Sequence, residues 1–236
     1  MYARSAKYYD ALYRAAGKDY RKEAEQIREV VESRKRSGGN VLLDAACGTG
    51  RHLDHLRAWY DCTGIDVDRA MLDIAHERLP DVAFVCMDMI GFKLDRSFDA
   101  VVSLFGAVGY LPNGGRLNQV VTDMARHLKP GGVVAIEPWL RPEQWEDGLV
   151  NALFVDEPDL KISRMCVSRR DGNVSIMNFH FTVAGRDGIR TFTEPHRLTL
   201  FTDAEYRAAF DAAKLAVEYD PVGLNGRGLY IGTKAP

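Results

Sequence analysis

With 236 residues, of which 46% are hydrophobic, the chain has the size and composition of one packed α/β domain with an elaboration. Its formal net charge of −2 excludes a strongly basic surface for nucleic acid. No apolar run approaches the roughly 18 residues that a membrane-spanning helix needs, and the first residues lack the apolar stretch of a signal peptide, so we expect a cytoplasmic protein.

Tyrosines are frequent ahead of the first predicted strand, at positions 2, 8, 9, 13 and 20. Tyr9, Leu12 and Tyr13 have the spacing of one helix face, which predicts that part of this segment is core. Tyr2 and Tyr20 are candidates for a lid whose hydroxyls meet a ligand. Residues 18–35 then predict an amphipathic helix, because their apolar positions recur at helical spacing.

The stretch VLLDAACGTG, residues 41–50, is the strongest local signal. An apolar run ends at Asp44, a turn containing Gly48 and Gly50 follows, and the next residues begin a helix. Strand, glycine turn and helix form the nucleotide-binding corner of a doubly wound α/β sheet, where glycine lets the backbone approach a ligand closely. Position 53, where a dinucleotide fingerprint has its third glycine, holds leucine, which argues against NAD or FAD.

Acidic residues end the next two predicted strands. Asp66 follows the short apolar strand 63–65, at the place of a ribose-binding carboxylate. Asp88 closes the strand 82–86 and is either a ligand-binding acid or a cap in its own turn. The helix between them is predicted at 68–78 with Asp68 as its N-cap.

The next elements continue the parallel sheet. A fully apolar strand at 97–105 leads into a loop at 106–111, which leaves the sheet at its carboxyl edge. A helix is predicted at 116–128, a turn at 129–132 and a fifth strand at 133–137.

After the fifth strand the pattern changes to antiparallel strands. Three are predicted, at 161–168, 174–183 and 189–200, with a hairpin turn at 171–172 and an interruption at Pro195. A last helix at 202–214 and closing strands at 215–219 and 228–233 return to the first sheet. We therefore predict a doubly wound Rossmann-like domain of residues 1–139 and 201–236, in which residues 1–36 are a lid and helix, with an inserted antiparallel sheet at 140–200. The insert is expected to shape a second ligand pocket, and its edges invite pairing with another subunit.

Cysteine spacing gives no indication of a metal site. Cys47, Cys62, Cys86 and Cys166 are widely separated, with no C-x-x-C pair and no histidine cluster. Reduced, buried thiols are the expectation.

The string D-x-A-C-G-T-G at 44–50 resembles motif I of the class I S-adenosylmethionine (SAM) methyltransferases. The resemblance also draws on Asp66, Asp88 and the LKPGG stretch at 128–132. It implies SAM as cofactor, with Asp66 on the ribose hydroxyls and Asp88 on the adenine amine. The residues placed around the cofactor in this way are Tyr9, Tyr20, Ala45, Gly48, Gly50, Asp66, Val67, Met71, Asp88, Met89 and Leu104.

The chain as a whole resembles the TDP-amino-sugar N,N-dimethyltransferases of macrolide pathways, which finish desosamine and mycaminose. The matching stretches are 17–20, 43–50, 109–111, 137–139, 179–183, 196, 198–201 and 226–229. The resemblance implies a homodimer in antibiotic biosynthesis that uses SAM, releases S-adenosylhomocysteine and methylates the amine of a TDP-linked amino sugar.

The same resemblance assigns candidates on the acceptor side. Tyr2 matches a tyrosine near the acceptor, Tyr110 lies at the histidine-or-tyrosine position over the methyl group, and Arg227 lies near the diphosphate. The catalytic candidates are Tyr2, Tyr110 and His180, and the substrate-binding candidates are Trp139, Arg164, His180, His196 and Arg227. Plainer alternatives stay open: a core tryptophan, a turn arginine, and structural or surface histidines.

The sequence departs from that family in three places. Leu140 and Arg141 follow the stretch 137–139 where relatives are more aromatic, Asp66 stands where relatives carry glutamate, and the loop before Asn225 differs. Two alternatives therefore remain. One is an N- or O-methyltransferase of another small molecule, such as a free amine, an aminoglycoside or an amino-acid-derived acceptor, and the other is a SAM-binding module without catalysis.

Overall fold

A computed structural model describes residues 4–236, so the prediction for Tyr2 lies outside the described residues. Within them the α-helices are α1 (Tyr9–Ala15), α2 (Tyr20–Arg34), α3 (Arg51–Leu56), α4 (Arg69–Arg78), α5 (Gly114–His127) and α6 (Asp203–Ala212). The strands are β1 (Val41–Ala45), β2 (Asp61–Asp66), β3 (Ala83–Cys86), β4 (Phe98–Ser103), β5 (Leu128–Ile136), β6 (Val150–Glu157), β7 (Leu160–Val167), β8 (Arg169–Asp171), β9 (Val174–Gly185), β10 (Gly188–Thr199), β11 (Leu215–Asp220) and β12 (Leu229–Lys234). None of the helices in this described part is both long and apolar enough to cross a membrane.

The first sheet has seven strands in the order β11-β12-β5-β4-β1-β2-β3. Strands β1 to β5 pair in parallel, and β12 and β11 add antiparallel at one edge. Alternate residues of the central strands face two separate apolar clusters: α5 and α6 pack on one face, and α2, α3 and α4 pack on the other. The doubly wound fold predicted from the sequence is confirmed.

The predicted turn at 129–132 is instead a bulge inside β5. Leu128 lies opposite Phe98 and Val133 lies opposite Ala100, so four residues of β5 face Asp99 alone. The Asp99 carboxylate accepts hydrogen bonds from Lys129 Nζ at 2.7 Å and from the Val41 backbone at 2.9 Å. These bonds hold the bulge against the start of β1.

The second sheet has the order β10-β9-β7-β6, with β8 paired to β9. The sequence predicted three strands here and missed β6 and β8. Much of β6 is exposed and shows no alternation of apolar and polar residues, and β8 is only three residues long. The predicted interruption at Pro195 is also wrong. Pro195 lies inside β10 opposite Asn178, and β10 is an edge strand, where a missing N–H costs no ladder bond.

Helix starts are set by capping side chains. The Asp68 carboxylate accepts from the Ala70 backbone at 3.1 Å, as predicted for the start of α4. Thr202 and Glu205 form a reciprocal capping box at the start of α6. Both caps lie next to the carboxyl or amino ends of strands and fix where those strands stop.

Candidate functional site

A cleft of about 1110 Å³, including its open mouth, lies at the carboxyl edge of the first sheet. This is the edge at which open α/β sheets bind ligands. The cleft is lined by Tyr9, Tyr20, Asp44, Ala46, Cys47, Gly48, Thr49, Arg51, His52, Asp66, Val67, Asp68, Met71, Met87, Asp88, Met89, Ile90, Leu104, Phe105, Ala107, Tyr110 and Leu111.

The glycine turn places Gly48 in the cleft lining, but not Gly50 and Ala45, which were also predicted to bind the cofactor. Gly48 has φ +55° and its N–H donates to Asp66 Oδ2 at 2.8 Å. Gly50 has φ +72° and faces the body of the protein, since a Cβ there would lie 3.3 Å from Ala75 Cβ. Ala45 is fully buried in the core. Gly50 and Ala45 therefore support the turn and do not line the cleft, and their cofactor-binding role stays a prediction.

Two carboxylates from neighbouring strands meet at the floor of the cleft. Asp66, at the end of β2, accepts from the Gly48 and Asp68 backbones, both at 2.8 Å. Burial raises its pKa despite these bonds. Asp44, at the end of β1, is 2% exposed, and burial together with the Asp66 charge raises its pKa to about 8. Asp44 was missed as a site residue, although its place at the end of an apolar strand was visible in the sequence.

The far side of the cleft is mainly apolar. Val67, Met71, Met89 and Leu104 line it as predicted, and Met71 is almost fully buried. Asp88 also lines the cleft, and its Oδ1 accepts from the Ile90 backbone at 2.9 Å. Its carboxylate thus caps its own turn at the cleft, and its role as a ligand-binding acid stays a prediction.

Residues 4–16, here called the N-terminal cover, close one side of the cleft. The Asp10 carboxylate on α1 accepts from the Thr49 hydroxyl at 2.8 Å and from the Arg78 guanidinium. Ser5 donates to Glu194 of β10, which ties the same segment to the second sheet. Tyr9 lines the cleft, and burial raises the pKa of its phenol well above the ordinary range.

A buried charge network stands behind the cover. Glu23 accepts from Lys18 at 2.6 Å and interacts with His52 Nε2 at 2.7 Å, and all three side chains are less than a tenth exposed. Burial alone would raise the pKa of Glu23, but the bonds from His52 and Lys18 hold it below its usual value. Tyr20 packs edge-on against His52 and lines the cleft. The network fixes the start of α2 against α3.

Arg51 is a cleft residue that sequence reasoning missed. It is the first residue of α3, directly after the glycine turn. Its Nε is buried and has no hydrogen-bond partner among residues 4–236, and the nearest Asp10 oxygen is 3.9 Å away. A basic residue at the first helical position after a ligand-binding turn was the available signal.

Tyr110 and His196 meet beside the cleft from two different parts of the fold. Tyr110 ends a 3-10 helix, Ala107–Tyr110, after β4, and His196 lies on β10. The Tyr110 hydroxyl is hydrogen-bonded to His196 Nδ1. Burial, reinforced by the charge of Arg164, lowers the pKa of His196 to about 4, so the imidazole is neutral at pH 7. Arg164 itself lies over the rings of Phe179 and Tyr13.

Arg227 and Trp139 form a second group near the cleft. The Arg227 guanidinium lies between the rings of Phe105 and Trp139, 4.9 Å from each centroid. Trp139 Nε1 donates to the Ser175 hydroxyl at 3.0 Å. Phe105 holds φ +58°, and its N–H donates to Glu137 Oε2 at 2.6 Å. Trp139 is thus both a packing residue and a platform for Arg227.

His180 is not among the residues that line the cleft, and its predicted catalytic and substrate-binding role stays a prediction. It is exposed on β9 opposite Met165 and Thr193, and its Nδ1 lies 3.2 Å from the Thr193 hydroxyl. Side chains alternate between faces along a strand, so His180 points away from its neighbours Phe179 and Phe181. Those two rings face the cover and the cleft side.

Comparison with known proteins defines the class. Residues 42–132 match the family model of a methyltransferase domain. The crystal structure of DesVI from Streptomyces venezuelae superimposes with a TM-score of 0.92 at 45% identity, covering 96% of this chain and 97% of that one. SAM-bound CalS10, an amino pentose methyltransferase from Micromonospora echinaspora, gives a TM-score of 0.88 at 38% identity, covering 96% of each chain. The chain is a SAM-dependent methyltransferase.

Curated relatives narrow the class further. The dTDP-3-amino-3,4,6-trideoxy-alpha-D-glucopyranose N,N-dimethyltransferase of Streptomyces venezuelae is 46% identical over 96% of both chains. The dTDP-4-amino-2,3,4,6-tetradeoxy-D-glucose N,N-dimethyltransferase of Saccharopolyspora spinosa is 40% identical over 96% of this chain and 91% of its own. The chain belongs to the family of dTDP-amino-sugar N,N-dimethyltransferases.

Proposed function

We propose that this enzyme transfers methyl groups from SAM to the amino group of a TDP-linked amino sugar in natural-product biosynthesis. The observation that carries the proposal is the match over nearly the whole chain, second sheet included, to N,N-dimethyltransferases of three different dTDP-amino sugars. Those sugars carry the amine at carbon 3 or carbon 4. What they share is an amine on a nucleotide-linked sugar, and the proposal is limited to that shared chemistry.

The cleft fits SAM group by group. The buried Arg51 Nε, which has no hydrogen-bond partner among the described residues, suits the methionine carboxylate. Asp66 suits the ribose hydroxyls, and Asp88 at the cleft mouth suits the adenine amine. We propose three further kinds of contact with SAM. The backbone of Gly48 supplies one, and the aromatic rings of Tyr9 and Tyr20 supply another. The third comes from apolar side chains, those of Val67, Met71, Met89 and Leu104.

SAM supplies a methyl carbon bound to a positively charged sulfur, which is a good leaving group. The chain's residues have to hold a neutral amine in line with that carbon and keep water away. Such orientation is worth up to ~7–11 kcal/mol in model reactions. No strong base is required, because the proton of the product ammonium can leave to water. Tyr110 lines the cleft, and we propose that it orients the amine.

Arg227 and Arg164 are proposed to hold the nucleotide part of the acceptor. The Arg227 guanidinium contacts the rings of Phe105 and Trp139, and a guanidinium offers a planar fork of donors that suits phosphate oxygens. Its Nη1 is buried with no hydrogen-bond partner within residues 4–236. The ring of Trp139 is proposed to pack against the sugar or the base. His196 is proposed to act on the acceptor through its hydrogen bond with Tyr110.

We also propose that the enzyme is a homodimer formed through the outer face of the second sheet. This outer face is defined by Val150, Ala152, Phe154, Met165 and Val167, which pair across β6 and β7 and are all exposed. Phe154 is 62% exposed and Val150 is 76% exposed. A contiguous apolar sheet face of this kind is typical of a subunit contact.

The function is tested by supplying SAM with a panel of acceptors and measuring release of S-adenosylhomocysteine. TDP-linked 3-amino and 4-amino sugars, the corresponding nucleotide-free amino sugars, and TDP alone form the panel. We expect turnover with at least one TDP-amino sugar and much slower turnover with its nucleotide-free counterpart. Turnover confined to a free amine or alcohol would assign a different small-molecule acceptor. SAM binding without turnover on any acceptor would favour a binding module.

A further inference from the structure

The contact between Tyr110 and His196 joins the two sheets at the cleft wall. Tyr110 follows β4 of the first sheet, and His196 is 3% exposed on β10 of the second. Close by, the Thr199 hydroxyl of β10 donates to the Leu111 backbone carbonyl at 2.6 Å. The position of Tyr110 is therefore set by β10 at two points, through its own hydroxyl and through the backbone of the next residue.

The ring of His196 is itself held in place. Phe179 meets it edge-on at 5.2 Å between centroids, and the Arg164 guanidinium lies 4.5 Å from the Phe179 centroid. Both neighbours lie on the inner face of the second sheet. A ring packed in this way has little freedom to swing into the cleft and contact an acceptor directly.

The chemistry of the two groups favours one direction for their hydrogen bond. A phenol is the stronger donor and an imidazole nitrogen the stronger acceptor, so the favoured arrangement has the Tyr110 O–H donating to Nδ1. The proton of the neutral imidazole then lies on Nε2. The low pKa of His196 keeps it neutral and makes it a poor acceptor for the proton released in the reaction.

We propose that His196 is a positioning residue that fixes the Tyr110 hydroxyl proton, so that the Tyr110 oxygen faces the acceptor amine as a hydrogen-bond acceptor. The inference rests on the proposed function. In the reaction, an amine N–H donates to the Tyr110 oxygen and the nitrogen lone pair points at the methyl carbon. The new N–C bond forms as the S–C bond breaks, the bonding pair stays on sulfur, and the ammonium proton leaves to water.

The test compares two substitutions at position 196 in the background of Tyr110 and of Tyr110→Phe. His196→Asn keeps an acceptor oxygen near the place of Nδ1, whereas His196→Leu removes it at similar volume. We expect His196→Leu to lower kcat about tenfold, the size expected for one lost orienting hydrogen bond. We expect His196→Asn to recover most of the loss, and SAM affinity to stay unchanged in both variants.

The decisive result is the double variant. If His196 acts through Tyr110, His196→Leu has no further effect on kcat in the Tyr110→Phe background. Equal losses in both backgrounds, or no loss in the single variant, would overturn the inference. Far-ultraviolet circular dichroism and Tm identify a variant that fails to fold. If His196→Leu fails to fold, the inference is tested with the kcat of His196→Asn and with the nitrogen NMR shifts of His196 in the wild-type protein. The expected NMR pattern is a bare Nδ1 and a protonated Nε2, and the reverse pattern would overturn the inference.

Two controls separate this inference from the proposed function. His76→Leu changes an exposed histidine on α4 and should leave kcat unchanged. The wild-type enzyme must turn over a TDP-amino sugar in the same assay. Failure of that wild-type reaction would count against the proposed acceptor, whereas wild-type turnover with a fully active His196→Leu variant counts against the role of His196 alone.

Discussion

At the scale of single residues, Asp44 is a carboxyl group that the folded protein prefers to keep protonated. Its pKa rises from 3.8 to about 8 because of burial and the neighbouring Asp66. At a pH below the pKa of the unfolded protein, Asp44 is protonated in both the folded and the unfolded state and does not lower the free energy of unfolding. As the pH rises toward the folded value, only the unfolded state releases the proton, so stability falls with increasing pH.

Asp44→Asn removes that penalty while keeping the shape of the side chain. We expect the Tm of the free enzyme to rise by roughly 4 °C or more at neutral pH, with no difference from wild type at a pH below 3.8. Differential scanning calorimetry across this range measures it, with the exposed Asp81→Asn as control. A Tm difference that is the same at every pH would show that the ionisation of Asp44 does not limit stability.

Arg227 gives a second prediction at this scale. Because its guanidinium is proposed to grip the acceptor diphosphate, Arg227→Ala should raise the acceptor KM about tenfold or more and leave the SAM Kd unchanged. Arg227→Lys should recover only part, since lysine keeps the charge and loses the planar fork. Steady-state kinetics and calorimetry measure the two quantities. Lost SAM affinity with a normal acceptor KM would move Arg227 to the cofactor side.

Sequence reasoning located the residues whose role follows from a strand end. Asp66, Asp88 and Gly48 line the cleft because parallel strands deliver their last residues to one edge. It did not reveal Asp44 as a cleft acid or the pairing of His196 with Tyr110, because those depend on burial and on contact between distant segments. It named His180 as a candidate from the resemblance, and the alternation of side chains along a strand does not say which face is turned toward the cleft.

At the scale of elements, the N-terminal cover is held to the glycine turn by one carboxylate. Asp10 on α1 binds both Thr49 and Arg78, and Tyr9 is its neighbour in the cleft wall. Asp10→Asn should weaken these charge-assisted bonds and lower SAM affinity about tenfold. Calorimetric titration with SAM measures the change.

Arg14→Ala is the matched control for the cover. Arg14 lies on the same helix as Asp10 and pairs with Glu157 of β6, but the Arg14 side chain is 57% exposed and that of Glu157 is 37% exposed, so the ion pair contributes little. SAM affinity should stay within about twofold of wild type. Equal losses of SAM affinity in the two variants would show a general loosening of the N-terminal cover. An unchanged SAM affinity in Asp10→Asn would show that the cover does not contribute to SAM binding.

The elements themselves were predictable to different degrees. The parallel strands and the helices between them were recovered, because two-sided burial gives apolar runs and caps such as Asp68 mark helix starts. Strand β6 was missed since its outer residues are exposed, and Pro195 was misread as a break because edge position is a property of the sheet.

At the scale of the whole molecule, the outer face of the second sheet is the proposed contact between subunits. Phe154→Lys places a charge on that face, opposite Ser163 of β7. We expect the dimer to dissociate into monomers at micromolar protein concentration, since a buried unpaired lysine is costly. Light scattering after size-exclusion chromatography measures the mass.

Val222→Lys is the control for this change, because Val222 is 67% exposed and lies in the loop that follows β11 of the first sheet. It should leave the mass of the particle unchanged. A wild-type monomer, or a Phe154→Lys protein that stays dimeric, would contradict the proposed contact.

The central claim is that a methyl group from SAM reaches nitrogen on a nucleotide-linked sugar. The direct measurement uses SAM with an isotopically labelled methyl group and two matched acceptors: a TDP-amino sugar and the same compound with its amine acetylated. The account predicts that the label enters the free amine and is absent from the acetylated compound. Equal labelling of both would place the methyl group on oxygen, and labelling of neither, with turnover on a nucleotide-free amine, would contradict the account.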